Sequence, residues 1–111
     1  MGAVLDGATM DQVLRDEGRA ERMAEVLKAL GHPIRLRLVA ILAHVGERTV
    51  GDLARDLGLA QAIVSQQLAI LRLQGLVRVR TSGGYRYYGL AVNEVVTLLQ
   101  CMSRCHLLRQ G

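Results

Sequence analysis

Residues 60–77 read AQAIVSQQLAILRLQGLV. The apolar positions recur at helical spacing, yet Arg72 is the one charged side chain in the stretch. Its other polar side chains are Gln61, Ser65, Gln66, Gln67 and Gln74. Surface helices ordinarily carry Lys and Glu, so a preference for amides and a hydroxyl needs a reason. Contact with base edges is one. Gln matches adenine with two hydrogen bonds, and Ser serves as donor or acceptor. A carboxylate in the same place would repel phosphates. Gln61, Ala62, Ser65 and Gln66 occupy the first turns, the end of such a helix that meets bases. Ala62 is sized to touch a thymine methyl. Gln67 and Arg72 lie later, where backbone phosphates or the protein's own core are the natural partners. Ile63, Val64, Leu68, Leu71 and Leu73 are the expected inward packing. The bland alternative is a solvated helix that happens to use Gln.

The charge around this stretch weighs against the bland alternative. The chain carries a net charge of +4. Between Asp56 and Glu94 there is no acidic residue, while Arg72, Arg78, Arg80 and Arg86 all fall there. The rest of the chain is balanced, so the whole excess sits in one block. A localised acid-free basic block is the footprint of a partner that is a polyanion, most often nucleic acid.

After Gly75 the apolar period changes from helical to alternating. Val77 and Val79 alternate with Arg78 and Arg80, Ser82-Gly83-Gly84 signals a hairpin turn, and Tyr85, Arg86, Tyr87 and Tyr88 return. Arg80 and Arg86 flank the tip, where arginine suits phosphate forks and narrow grooves. Their bland role is to keep an edge strand soluble. Upstream, Thr49-Val50-Gly51-Asp52 leads into a short helix over residues 52–57 that Gly58 ends. Two short helices around a Gly-containing turn form the helix-turn-helix pattern. Before them, Pro33 opens a helix over residues 33–44, apolar nearly all round and so central, with Ile34, Leu38, Val39, Ile41 and Leu42 at core spacing and Leu36 beside them. A first helix is expected over residues 10–30, with a capping box at Thr9-Met10-Asp11-Gln12 and Gly18 weakening its middle. Its apolar face is Val13, Leu14, Met23, Val26, Leu27 and Leu30. A last helix spans residues 92–108. The expected architecture is α+β, mainly α with one β-hairpin: four helices, two strands, one helix, a winged helix-turn-helix.

The chain has 111 residues, half of them hydrophobic, with no Phe and no Trp. That supports one domain over residues 1–111 with a modest aliphatic core. No apolar run approaches the roughly 18 residues of a membrane span, and the start MGAVLDGATMDQ lacks a signal-peptide pattern. A cytoplasmic protein follows, and its two cysteines are read as thiols. No Gly-rich phosphate loop, metal-helix motif or nucleophile elbow is present, which leaves an enzyme with little support. A winged-helix module that docks proteins would favour acids in the hairpin, and there are none.

The segments LKALGHPIRLRLVAIL, TVGDLARDLGL, VSQQLAILRLQGLV and YRYYGL, in that order, resemble the ArsR/SmtB bacterial repressors over residues 26–90. The resemblance implies a homodimer joined by its first and last helices. It also implies occupation of a palindromic double-stranded operator, relieved by an inducer. The family's metal site between the last helices matches Val92, Glu94, Cys105 and Leu108 here, which cannot form the usual site. Its cysteine site at the helix-turn-helix meets TVGDLARDL, without Cys or His. The second-helix cysteine of its reactive-sulfur sensors falls on Ala40.

What remains is Cys101 and Cys105, four residues apart and so stacked on one face of the expected helix. Thiolates are soft ligands for a metal or metalloid ion such as arsenite, and Arg104 and His106 can lower a thiol pKa. The same pair suits a reactive-sulfur or redox sensor. Against both stands packing, because buried Cys behaves as a small hydrophobe. His32 is read as a helix-start residue and His44 as a surface residue.

Overall fold

A computed structural model of the chain describes residues 3–108. Its order is α1 (Gly7–Arg15), α2 (Arg19–Leu30), α3 (Pro33–Val45), α4 (Val50–Leu57), α5 (Gln61–Leu73), β1 (Val77–Ser82), β2 (Tyr85–Leu90), α6 (Glu94–Ser103) and a 3₁₀ turn (His106–Leu108). The fold is a winged helix-turn-helix, with α4 and α5 as the helix pair and β1–β2 as the wing.

Local signals account for most of these elements. Thr49 and Asp52 form a full capping box, which starts α4 at Val50 and not at Asp52. Gly58 takes φ +65°, and the Leu59 N–H reaches back to the Ala54 carbonyl at 3.0 Å, the six-to-one bond of a Schellman ending. That ending makes the turn between α4 and α5. His32 caps α3, its Nδ1 accepting from the Ile34 N–H at 3.2 Å. Gly83 and Gly84, at φ +57° and +81°, form the two-residue turn of the hairpin. The register follows from that turn: Ser82 faces Tyr85, Thr81 faces Arg86, Arg80 faces Tyr87 and Arg78 faces Gly89.

The core lies between α3, α4, α5 and the wing. Leu38, Val39, Leu53, Val64, Leu68 and Leu71 are fully buried. Tyr88 and Val77 close it from the hairpin side. No helix among the described residues is long and apolar enough to cross a membrane.

Four expectations are corrected. The first helix is two helices, because Gly18 adopts φ +78° and breaks the run. Its cap is Asp6 and not Thr9: the Asp6 carboxylate, a stronger acceptor, takes the Thr9 N–H at 2.7 Å. The last helix stops at Ser103, because the Arg104 and Cys105 N–H groups bond to carbonyls three residues back and tighten the chain into 3₁₀ geometry. Within α5, Ile63 and Leu73 do not pack inward, and Leu73 is 84% exposed. Only Val64, Leu68 and Leu71 carry that load.

The terminal helices contribute little to this core. No residue of α1 is buried, and α6 buries only Val95. The described chain is flat, 48 × 38 × 20 Å, with a radius of gyration of 16.1 Å. A compact domain of this length has about 13 Å.

Candidate nucleic-acid interface

Helix α5 turns one face to the core and the other to solvent. Gln61, Ala62, Ser65 and Gln66 all stand on the solvent face. Gln61 folds against α4, its amide nitrogen within ordinary contact, 3.6 Å, of where a Cβ at position 51 would lie. Ala60 gives α5 no side-chain cap, so its first N–H groups are open to an anion. Gln67 is different. It is half-buried, and its Oε1 accepts from Arg35 Nη1 at 2.8 Å, while Arg35 Nε holds the Ala29 carbonyl at 2.6 Å. The structure gives Gln67 an internal partner that ties α3 and the end of α2 to α5.

The wing has two unlike faces. Facing residues of a β-ladder share a side, and side chains alternate along each strand. Val77, Val79, Thr81, Arg86 and Tyr88 therefore lie on the side toward α5. Arg78, Arg80 and Tyr87 lie on the other. On the α5 side, Arg86 sits over the buried Tyr88 ring, 5.7 Å from its centroid. An open cleft of about 560 Å³ runs between wing and helix, lined by Ser65, Ala69, Arg72, Leu73, Arg86 and Tyr88. No acid lines it. Arg72 and Arg86 take part in none of the ion pairs among the described residues. Two guanidiniums outside those ion pairs, beside a hydroxyl, make this cleft basic.

On the outer side the charge is compensated. Glu47, in the loop between α3 and α4, accepts from Arg78 Nη1 at 2.7 Å and from Arg80 Nη2 at 2.7 Å. These two donors hold its carboxyl down to about 2, the Arg80 bond being the larger cause. Glu47 carries no local motif. It lies outside the acid-free block and reaches the wing only through the fold.

Cys101 is exposed near the end of α6, and Cys105 is half-buried just beyond it. Neither belongs to the core. Because α6 ends between them, the one-face stacking expected of a continuous helix does not hold. Ala40 lines a shallow cleft of about 340 Å³ between α3 and α6, with His44, Gln100 and Ser103. No three His, Cys, Asp or Glu side chains converge among the described residues. Two of the four positions matching the family's metal site, Val92 and Leu108, have no ligand atom, so those residues do not fit that metal.

Comparison with known proteins agrees with this geometry. A family model described as bacterial regulatory protein, arsR family, matches residues 32–79. The biofilm growth-associated repressor of Xylella fastidiosa is 38% identical over 86 residues, 78% of this chain and 75% of that one. The solved structure of the transcriptional repressor BigR from Xylella fastidiosa superposes with a TM-score of 0.75 at 32% identity, over 91% of this chain and 98% of that one. A homodimeric winged helix-turn-helix DNA-binding domain from Mycobacterium bovis gives a TM-score of 0.72 at 31% identity, over 85% and 92% of the two chains.

Proposed function

The chain belongs to the ArsR family of bacterial regulatory proteins, and from that premise we propose that it is a homodimeric, cytoplasmic repressor of transcription. It binds a palindromic operator and leaves it when an inducer reaches its thiols. One observation carries the DNA reading: the uncapped, amide-bearing outer face of α5 adjoins an acid-free cleft holding Arg72 and Arg86. In this reading Gln61, Ala62, Ser65 and Gln66 meet base edges, and Arg72 and Arg86 grip a backbone phosphate. The bare apolar surface of α1, α2 and α6 is the dimer contact, which sets two α5 helices one DNA turn apart.

Cys101 and Cys105 are the proposed inducer site, with arsenite as the soft metalloid that two thiolates favour. A reactive-sulfur species acting on the same thiols is the second reading. It is favoured by the exposure of Cys101 and by the lack of a third converging ligand among the described residues.

The test is fluorescence anisotropy of the reduced protein on duplex DNA from its own upstream region, across a salt series. Affinity that falls with salt is expected, because phosphate contacts release counterions. The measurement is repeated with arsenite, then with a polysulfide donor. Release by arsenite supports the first reading, and release by polysulfide alone the second. Release that survives Cys101→Ser and Cys105→Ser removes the thiols from the mechanism.

A further inference from the structure

Glu47 follows Gly46, which takes φ +87° where α3 ends. Its neighbour Arg48 exchanges both backbone hydrogen bonds with Tyr88 of β2, at 2.9 and 2.8 Å. This pair pins the loop against the hairpin and fixes the Glu47 carboxylate beside the wing. The opposing backbone is cut to fit. At Gly89 a Cβ would meet the Glu47 Cγ at 3.2 Å and the Arg78 guanidinium carbon at 3.3 Å. One carboxylate thus serves two guanidiniums, with Arg80 also bonding through Nε at 3.1 Å and lying 5.1 Å from the Tyr87 ring centroid.

We propose that Glu47 limits the protein's affinity for DNA by holding Arg78 and Arg80 away from phosphates, leaving Arg86 as the wing's contact. The proposal rests on the DNA-binding reading above. A guanidinium already neutralised by a carboxylate gains little from a phosphate, and the carboxylate repels that phosphate. With their donors turned to Glu47, neither guanidinium is free to take a phosphate, where both would be without the acid. Sequence-blind attraction falls accordingly, and a larger share of the binding depends on Gln61, Ser65 and Gln66. A carboxylate that merely aligned the arginines for DNA would have the opposite effect when removed.

The experiment compares wild type, Glu47→Gln, Arg80→Ala and the double variant on an unrelated duplex over a salt series. Circular dichroism confirms that each is folded. Glu47→Gln is expected to bind more tightly, by roughly five-fold per freed arginine near 0.15 M salt, with a log–log salt slope steeper by about 0.9 for each. Arg80→Ala leaves the wild-type slope unchanged but removes about one such increment in the Glu47→Gln background. Weaker binding or an unaltered slope in folded Glu47→Gln overturns the proposal. So does a flattened slope in Arg80→Ala alone, which decides the matter even if Glu47→Gln fails to fold. Wild-type protein without any salt-dependent duplex binding overturns the DNA-binding reading itself, and this proposal with it.

Discussion

The half of the molecule made of α3, α4, α5 and the wing differs from the half made of α1, α2 and α6 in how many of its large apolar side chains it buries. In the first half Leu38, Leu53, Leu68 and Leu71 are fully buried within one chain. In the second, Leu14 is 68% exposed, Leu27 57% and Met102 49%. The first supplies most of the core, to which α2 adds only Ala29 and Leu30 and α6 only Val95, whereas the second leaves most of its large apolar side chains in solvent, as an interface would. This accounts for a flat shape whose radius of gyration exceeds that of a compact domain.

The largest effect expected is therefore on the closed half. Leu68→Ala leaves a cavity between α3, α5 and the wing and destabilises the fold by about 2–5 kcal/mol. Denaturant unfolding reads this as a lower midpoint at every protein concentration. Leu14→Ser and Leu27→Ser act on the other half. Each weakens dimerisation by about ten-fold or more, since burying a leucine is worth about 1.5–3 kcal/mol and 1.4 kcal/mol is a decade. Analytical ultracentrifugation measures it, together with a melting temperature that depends on protein concentration in wild type. The contrast between the halves breaks if Leu14→Ser lowers the unfolding midpoint as much as Leu68→Ala does at all concentrations.

A smaller effect separates the two roles within the closed half. Arg72→Ala or Arg86→Ala is expected to reduce DNA affinity by roughly five-fold near 0.15 M salt, on any sequence, and to flatten the salt slope by about 0.9. Gln66→Ala instead relaxes preference at one base pair, by about 1–3 kcal/mol of discrimination. Binding to a set of single-base operator variants tells the two apart. Equal losses for Gln66→Ala on all variants would remove α5 from base contact.

The closed half was also the legible half. Gly58, Gly75 and the Gly83-Gly84 pair punctuate it, and its apolar period switches where helix gives way to strand. The misreadings come from longer range. Taking the hairpin tip as Ser82-Gly83-Gly84 leaves the pairing of Arg86 open. The observed two-residue turn sets Arg86 opposite Thr81 and so on the side of α5. In a strand a shift of one residue moves a side chain to the other face. Arg80 consequently lies away from Arg86. Glu47 is 31 and 33 residues from its partners, and no local pattern connects them. The Arg35–Gln67 bond, over 32 residues, is hidden for the same reason. The apolar spacing of Val13, Leu14, Met23, Val26, Leu27 and Leu30 predicts one helix, which Gly18 divides into α1 and α2, and spacing alone does not say what covers an apolar face.

The smallest effect expected concerns acid stability, and it bears on the same contrast. The Arg80 and Arg78 bonds lower the Glu47 carboxyl from its ordinary 4.5 to about 2. A carboxyl depressed in the folded state binds fewer protons there than in the unfolded state. Its contribution to stability is therefore complete above about pH 4.5 and disappears as the pH falls toward 2. Glu47→Gln removes that contribution. Wild type should be modestly more stable than the variant at neutral pH, and the two should converge through that window. The difference should be unaffected by protein concentration, because the ion pairs lie wholly within the closed half. Urea unfolding at several pH values and two protein concentrations measures both dependences. A gap between wild type and Glu47→Gln that widens on dilution would place the Glu47 cluster in contact with the dimer surface and dissolve the division between the halves.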